Sequence, residues 1–264
     1  MRGSVTDSKK MSSASKPKLS IIVPVYNEAP TVARLIERVL AVKLDGVERE
    51  IIVVNDGSTD RSHDVLEHIA SQQPDVVKVY HHDQNRGKGA AVRTALKHVT
   101  GDIVITQDAD LEYDPQEYPK LLALFDDPSV QVVYGSRNLR DNPRSSWSFY
   151  WGGRLVSWFA NLLYGSDLTD EATGYKLFRT ELLRSLDLQS DGFEFCPEVT
   201  SKLLRCDVEI HEVPISYQPR GLGEGKKINW RDGLEAIWTL IKHRFGRVPA
   251  ARCHEPVSDP RRDE

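Results

Sequence analysis

Acidic and polar residues cluster at three places where predicted strands end. The clusters are Pro24–Glu28 (PVYNE), Asn55–Asp60 (NDGSTD) and Gln107–Glu112 (QDADLE). In the third cluster, the carboxylates at positions 108, 110 and 112 project with the same parity if the backbone is extended. Such hard oxygen ligands, together with a diphosphate, commonly hold Mg²⁺ or Mn²⁺. A single Asp-x-Asp triplet is more often a solvated loop or a helix cap, but three clusters at successive strand ends favour a binding site.

These clusters need a sheet that brings them together. Five short apolar runs alternate with helical patterns in the first half of the chain and predict strands. They are Leu19–Val25, Glu50–Val54, Val76–Tyr80, Asp102–Thr106 and Val130–Tyr134. The alternation predicts a Rossmann-like three-layer α/β/α unit with a mainly parallel central sheet. Right-handed crossovers then place the loops that follow the strands along one edge, where ligands of such folds bind.

The second half of the chain has a different pattern. Val208–Gln218 alternates as a half-buried strand, and Asp232–Phe245 is predicted to form a helix that carries aromatic residues. We interpret this half as an extension that completes the site and not as an independent domain.

Length and composition bound the organisation of the chain. Its 264 residues, 39% hydrophobic, suffice for one large domain or two small ones, and the net charge of −4 excludes a whole-chain footprint for nucleic acid. We expect a mobile arm over residues 1–17, a folded domain over 18–246 and a mobile tail over 247–264. The chain start lacks the apolar core of a secretory signal, and no apolar run approaches the about 20 residues of a membrane span, so a cytoplasmic location is expected.

Four motifs carry a resemblance to a known family. The segments VPVYNE, VVNDGSTD, NRGKGAAVRTAL and QDADLEY, in this order and spacing, resemble the N-terminal half of glycosyltransferase family 2, whose members share the GT-A fold. The later segments GSRN, TGYKLFR and PRGLGEGKK resemble more narrowly the dolichyl- or polyprenyl-phosphate hexosyltransferases, the dolichol-phosphate mannose synthase branch. The resemblance extends over residues 19–245 and makes the second half an extension on the acceptor side.

The resemblance implies a nucleotide-sugar site. Its base and ribose pocket would consist of Pro24, Tyr26, Glu28, Val54 and Asp56. Further donor contacts would come from Asp108, Ala109, Asp110, Arg137, Arg220 and Lys226, the last two as a basic pair that grips phosphate. The ligands of Mg²⁺ or Mn²⁺ would be Asp108, Asp110 and Glu112, with Asp110 the main one. Glu112 stands where the branch often carries Gln, but Glu is still a hard oxygen ligand.

The implied reaction inverts the anomeric centre and moves a hexose from a nucleotide sugar, of the GDP-mannose or UDP-glucose type, to a polyprenyl or dolichyl phosphate. Asp110, Arg137 and Asp170 are the candidate catalytic residues. A lipid phosphate is already anionic and needs no base, so Asp170 would act as base only if the acceptor is a hydroxyl of a saccharide or protein. Asp170 can equally be a plain loop carboxylate. A nucleotide-sugar-binding protein that has lost turnover is the alternative outside enzymes.

An aromatic segment adds a partner hypothesis. Residues 147–164 combine three tryptophans with two phenylalanines and two tyrosines around Arg154, and Trp230 and Trp238 follow later. Such a segment can lie in a membrane interface and admit a polyprenyl tail, or it can pack in the core or between two copies of the chain. The sequence therefore leaves a membrane surface, a membrane-protein partner and a homodimer open.

Overall fold

The computed structural model describes residues 16–143, 147–220 and 230–246, with the side chains of all of these except 147–149. The strands within these residues are β1 (Lys18–Val25), β2 (Glu48–Asp56), β3 (Val77–His82), β4 (Ile103–Thr106), β5 (Val132–Ser136), β6 (Lys176–Arg179) and β7 (His211–Pro214). The α-helices are α1 (Val32–Leu40), α2 (Ser62–Gln72), α3 (Lys88–Leu96), α4 (Tyr118–Leu122), α5 (Trp147–Tyr164), α6 (Thr180–Ser185), α7 (Phe195–Arg205) and α8 (Trp230–Phe245).

The strands form one sheet in the order β3-β2-β1-β4-β6-β5-β7. Neighbours are parallel except that β6 runs antiparallel to β4 and β5, so the predicted mainly parallel sheet is confirmed. Strand β6 is absent from the sequence prediction. Strand β7 is shorter than the predicted Val208–Gln218, because after Pro214 the chain turns towards the loop that follows β4. There the Gln218 amide donates to the Glu112 carbonyl at 2.9 Å.

Two apolar cores lie on opposite faces of the sheet. Side chains of a strand alternate between faces, so Ile21 and Val23 of β1 pack towards α1, whereas Ile22 packs towards α3 and α7. The stripe predicted for the first helix is buried as expected, at Val32, Leu35, Ile36 and Val39. Each fully buried aliphatic side chain contributes about 1.5–3 kcal/mol to folding.

The strand register brings the predicted clusters to one edge. Val25 of β1 pairs with Asn55 of β2, and Ile22 pairs with Thr106 of β4, so the chain leaves all three strands at the same edge. Side chains then join the loops: the Thr59 amide donates to Asn27 Oδ1 at 2.8 Å. The first two clusters are therefore one hydrogen-bonded unit.

Close backbone contact fixes the start of α3 at this edge. Gly87 has a φ of +99°, and a Cβ built on it would lie 2.3 Å from the Asp191 carbonyl oxygen. A Cβ on Gly89 would lie equally close, at 2.3 Å, to the Ser190 carbonyl oxygen. Only glycine tolerates both the conformation and the approach. The contact holds Lys88, between the two glycines, at the mouth of the site.

At the opposite edge, a buried carboxylate joins three segments of the chain. Glu50 of β2 is 2% exposed. It accepts hydrogen bonds from Ser20 at 2.6 Å and from the Thr100 amide and hydroxyl at 2.7 Å, and it pairs with Lys18 at 2.7 Å. Burial alone would raise the pKa of Glu50, but the bonds from Lys18, Ser20 and Thr100 lower it to about 2.

We therefore expect Glu50→Gln to lower the free energy of unfolding at pH 7 by about 3 kcal/mol, the equivalent of the pKa depression. The folded-state pKa lies below the unfolded value, so this stabilisation is present above about pH 4.5 and is lost as the pH falls towards 2. Urea unfolding between pH 7 and pH 3 should show the gap between wild type and variant closing. The control, Glu37→Gln on the exposed side of α1, should be neutral. A gap independent of pH would contradict the assignment.

Candidate active site

A cavity of about 1350 Å³ opens at the carboxyl edge of the sheet. Most residues predicted to bind the nucleotide sugar line it: Pro24, Tyr26, Glu28, Asp56, Asp108, Ala109, Asp110, Arg137 and Arg220, and Glu112 and Asp170 line it too. Val54 is not among the residues that line the cavity, because strand alternation places its fully buried side chain in the apolar core with Ile22 and Ile52. Lys226 lies outside the described residues.

Glu28 and Arg220 form a bidentate ion pair across the cavity. The guanidinium donates to Glu28 Oε2 at 2.6 Å and to Oε1 at 3.1 Å, and its Nε donates to the Asp110 carbonyl at 3.0 Å. The Arg220 amide donates to Glu112 at 2.8 Å. Arg220, which was predicted to grip phosphate, thus lies over the loop of residues 107–112, which we call the acidic loop. Its charge is held there by Glu28, the carboxylate predicted to face the nucleotide.

Asp56 organises the loop before α3. Its carboxylate accepts from the backbone amides of Arg86 at 2.9 Å and Gly87 at 2.7 Å, and lies 2.7 Å from His82 Nδ1. Both oxygens are therefore occupied within the protein. Asp56 still borders the cavity, but the geometry gives it the role of shaping the wall on which a nucleotide would rest.

Asp108 is held on three sides. Lys88 Nζ lies 2.5 Å from Asp108 Oδ1, and both side chains are largely buried. Gln107 donates from Nε2 to the Asp108 carbonyl at 2.9 Å. A Cβ on Gly174 would lie 2.5 Å from Asp108 Oδ2, so a larger residue there would displace the carboxylate from this position. Burial alone would lower the pKa of Lys88, but the charge of Asp108 raises it above its ordinary value.

Asp110 lies between two other acids of the same loop. Its Oδ1 accepts from the Glu112 amide at 3.1 Å. Burial, followed by the charges of Asp108 and Glu112, raises the pKa of Asp110 to about 7. Negative charge is therefore in excess around this carboxyl group, in spite of the nearby Arg220.

The three acids predicted to hold a metal diverge in this structure. Asp108 turns to Lys88, whereas Glu112 accepts from the Tyr217 hydroxyl at 2.6 Å. Among residues 16–143, 147–220 and 230–246, three potential ligand atoms come within 4.8 Å of one another only at His63, Glu67 and His81, away from the cavity. The fit to Mg²⁺ or Mn²⁺ therefore rests on the donor set: hard carboxylates with excess negative charge, beside a cavity that can supply diphosphate oxygens.

Arg137 and Asp170 form the third ion pair of the cavity. Arg137 donates from Nε to Asp170 Oδ2 and from a terminal nitrogen to Oδ1, both at 2.7 Å, and its amide donates to Oδ2 at 2.9 Å. The Asp170 side chain is 1% exposed. A carboxylate with both oxygens engaged is poorly placed to take a proton. The geometry therefore favours a role for Asp170 in orienting Arg137 and disfavours the role of base that a hydroxyl acceptor would require.

Aromatic residues complete the site and were missed by the sequence reasoning. The Arg137 guanidinium carbon lies 5.2 Å from the centre of the Tyr217 ring, and Tyr113 stacks on Tyr175 at 4.6 Å. Tyr217 lies within the predicted strand Val208–Gln218, but only the crossing of the chain beyond β7 brings it to Arg137. The wall opposite the acidic loop comes from α5 and α8, which supply Gly153, Leu155, Gly233 and Leu234 among others.

The Lys88–Asp108 pair should contribute to the stability of the fold. We expect Lys88→Met to lower the free energy of unfolding by about 3–5 kcal/mol, because it leaves Asp108 buried and unpaired. Adding Asp108→Asn should restore part of the loss. The matched control is Arg140→Met, which removes an exposed cation 3.4 Å from Glu117 and should cost less than about 1 kcal/mol. Urea denaturation of the wild type, both single variants, the double variant and the control gives the comparison, and additive losses in the double variant would contradict a buried pair.

Several solved structures resemble this fold. A structure of glucosyl-3-phosphoglycerate synthase from Mycobacterium tuberculosis, in complex with Mn²⁺, UDP and glucosyl-3-phosphoglycerate, superposes with a TM-score of 0.67. It covers 88% of this chain and 82% of that one, at 23% sequence identity. The expected GT-A fold is thereby confirmed.

Curated relatives include enzymes named for lipid-linked sugars. The low-salt glycan biosynthesis hexosyltransferase Agl6 of Haloferax volcanii is 32% identical over 238 residues, 89% of this chain and 56% of that protein. The dolichol-phosphate mannosyltransferase of Pyrococcus furiosus is 31% identical over 216 residues, 79% of this chain and 59% of that protein. The chain thus spans less than two thirds of both. The undecaprenyl-phosphate mannosyltransferase of Micrococcus luteus is 29% identical over 246 residues, 85% of this chain and 98% of that protein.

The family assignment rests on a match that covers most of the sheet. The pattern of "Glycosyl transferase family 2" matches residues 20–187, from β1 to α6, and includes the acidic loop, Arg137 and Asp170. The chain belongs to glycosyl transferase family 2.

Proposed function

We propose that the chain is an inverting glycosyltransferase that moves a hexose from a nucleotide sugar to a polyprenyl or dolichyl phosphate. The observation that carries the proposal is that one cavity has a charged lining at the sheet edge and an apolar lining on the side of α5 and α8. Its acidic loop and buried cations suit a nucleotide diphosphate, and its α5–α8 wall is apolar enough for an isoprenoid. The relatives named for dolichol phosphate and undecaprenyl phosphate support this acceptor class.

The donor would lie between the first and third clusters. Tyr26 offers a ring for a base, while Asp108–Asp110 would line the nucleotide. We assign the nucleotide to the GDP or UDP type. The UDP in the Mycobacterium tuberculosis complex supports a nucleoside diphosphate as part of the donor.

A divalent cation would be held by Asp110, with Asp108 or Glu112 and the donor diphosphate completing its ligands. Mg²⁺ is typically bound by one or two carboxylates plus substrate phosphates, which fits a loop whose three acids do not converge. Bound there, Mg²⁺ or Mn²⁺ would stabilise the charge that develops on the leaving diphosphate. Related structures containing Mn²⁺ or Mg²⁺ support the choice of ion.

Arg220 would contribute positive charge next to the same diphosphate. It lies over the acidic loop and is held by Glu28, so a diphosphate oxygen could take one of its donors without a large movement of the chain. The sequence places Lys226 in the same role.

Arg137 would bind the acceptor phosphate by a charge-assisted hydrogen bond. A phosphate oxygen would attack the anomeric carbon as the bond from that carbon to the donor diphosphate breaks. The bonding electrons leave with the nucleoside diphosphate, and the configuration inverts. The acceptor arrives deprotonated, so no base is needed. Asp170 would fix Arg137 for this contact.

The first test supplies purified protein with Mg²⁺ or Mn²⁺, labelled UDP- and GDP-sugars and a short polyprenyl phosphate. Label should move to the lipid fraction, and chelator or Asp110→Asn should reduce the rate by about 10²-fold or more. Asp126→Asn, which changes an acid on the side of the domain away from the cavity, is the matched control. Nucleotide binding without lipid labelling from any donor would reject the lipid-phosphate acceptor and favour a hydroxyl acceptor or an inactive binding protein.

A second test separates positioning by Asp170 from base catalysis. If the pair acts as a unit, Arg137→Gln and Asp170→Asn should each lower kcat/KM by about 10²-fold, and the double variant should be no worse than either. Steady-state kinetics over pH 6–9 give the comparison. Base catalysis by Asp170 would instead make Asp170→Asn far more damaging than Arg137→Gln and would change the shape of the pH profile.

A further inference from the structure

Two histidines and a glutamate come together outside the cavity, between α2 and β3. His63, Glu67 and His81 each offer one ligand atom, and these three atoms lie within 4.8 Å of one another. His81 Nε2 lies 2.8 Å from Glu67 Oε1, and the centres of the two imidazole rings are 4.4 Å apart. We call these three residues the α2–β3 cluster. They do not line the cavity.

The fold explains why the three side chains meet. His63 and Glu67 are four residues apart on α2 and therefore share one face of the helix. Side chains of β3 alternate between the faces of the sheet: Val79 packs with the core on the side of α2, and Tyr80 packs with the core on the other side. His81 has the parity of Val79, so its ring points towards α2.

The exposure of the α2–β3 cluster leaves room for an ion. Strand β3 is at the edge of the sheet, and the side chains of His63, Glu67 and His81 are 57%, 55% and 28% exposed. Four tetrahedral ligands at about 2.1 Å from an ion lie roughly 3.4 Å from one another. Small rotations of two exposed side chains would bring the ligand atoms of the cluster to this spacing.

The ligand atoms select the class of ion. Two imidazole nitrogens with one carboxylate oxygen suit Zn²⁺ and Ni²⁺, whereas Mg²⁺ is bound mainly by oxygen. Three protein ligands at an exposed position also leave a coordination place for water. The acidic loop, by contrast, offers carboxylates from Asp108, Asp110 and Glu112 and lies at the cavity. The two places therefore suit different ions.

Asn55 of β2 sets the strength of such a site. Its Oδ1 accepts from the Ser58 amide at 3.1 Å, and this bond orients the side chain so that Nδ2 faces His81 Nδ1, also at 3.1 Å. Nδ1 is therefore the acceptor, and the proton of neutral His81 lies on Nε2, towards Glu67.

An ion at His81 Nε2 would move this proton to Nδ1. A ligating histidine normally donates its second ring N–H to an acceptor, but Asn55 presents a donor there. Binding must therefore turn the Asn55 amide over and break its bond to Ser58. Position 55 thus tunes the affinity of the cluster.

We propose that the α2–β3 cluster binds a divalent transition-metal ion of the Zn²⁺ class through His63, Glu67 and His81. The site is separate from the acidic loop, and the inference does not depend on the proposed function. The ion would join α2 to the edge strand, and it would bind the folded chain in preference to the unfolded one.

Isothermal titration of the full chain with Zn²⁺ tests the site, after removal of metal by chelator and in excess Mg²⁺, which fills oxygen sites. His63→Gln and His81→Gln should each raise the Kd of one Zn²⁺ equivalent tenfold or more. The matched control is His68→Gln, which changes an exposed histidine of the same helix whose Nε2 faces Gln72. It should bind as wild type does. Equal binding by wild type and both cluster variants, or equal losses in all three variants, would overturn the proposal.

Urea unfolding gives a second readout of the same site. Zn²⁺ should raise the unfolding midpoint of wild type and of His68→Gln, and it should leave the midpoint of His63→Gln unchanged. The variant's own transition in the absence of Zn²⁺ shows that it folds. A midpoint that Zn²⁺ raises equally in all three proteins would place the ion elsewhere and overturn the site.

A variant that should bind more tightly separates a ligand from a merely nearby histidine. Asn55→Asp places a carboxylate that can accept from His81 Nδ1–H and from the Ser58 amide together. It should lower the Kd for Zn²⁺ about tenfold, and adding His81→Gln should remove the gain. A folded Asn55→Asp variant with unchanged or weaker binding would contradict coordination through His81 Nε2.

Discussion

The concentration of negative charge at one edge of the sheet is the constraint on which this structure depends. The ends of β1 and β4 and the segment that precedes the antiparallel β6 bring Glu28, Asp108 and Asp170 to a largely buried rim. Unpaired charges there would cost several kcal/mol each. Each carboxylate is paired with a cation from a distant segment: Arg220 after β7, Lys88 at the start of α3 and Arg137 after β5. The ion pairs therefore hold the α3 and acceptor-side segments against the sheet. The same contacts that neutralise the charges also bring the walls of the cavity together.

The same pairs leave the edge prepared for an anionic ligand. Arg220, Lys88 and Arg137 are already desolvated and oriented, so a diphosphate or phosphate would meet donors whose ordering cost was met during folding. Asp110 differs from its neighbours because burial and two adjacent acids raise its pKa to about 7. An added cation would be stabilised more here than at carboxylates that already have a basic partner. The cavity therefore has three cationic side chains that are already in place and one carboxyl group, Asp110, at which a bound cation would be stabilised.

The sequence predicted the elements that form this edge of the sheet better than it predicted the contacts between their side chains. The strand ends, the stripe of α1 and the grouping of acidic clusters follow from local periodicity and from the rules for parallel sheets. Strand β6 was missed because its four residues carry no alternation of their own and pair only once β4 and β5 exist. The Glu28–Arg220 pair spans 192 residues, which no spacing rule reaches. The burial of the Val54 side chain in the core was likewise not evident from the motif, because strand parity fixes which face a side chain takes and a motif match does not report parity.

The two kinds of cavity wall would suit the proposed water-soluble donor and the proposed lipid acceptor separately. The polar floor is built by strand ends, where backbone and carboxylates are rigidly fixed, and reacting groups need that accuracy. The apolar wall is built by two helices outside the sheet, whose outward stripes are independent of the floor. Changing the floor would alter which charges are stabilised, whereas changing exposed residues of these helices that do not line the cavity, such as Trp158 and Trp238, would leave the floor intact. A lipid acceptor requires both, because it must bring its phosphate to the floor while its chain stays in an apolar phase.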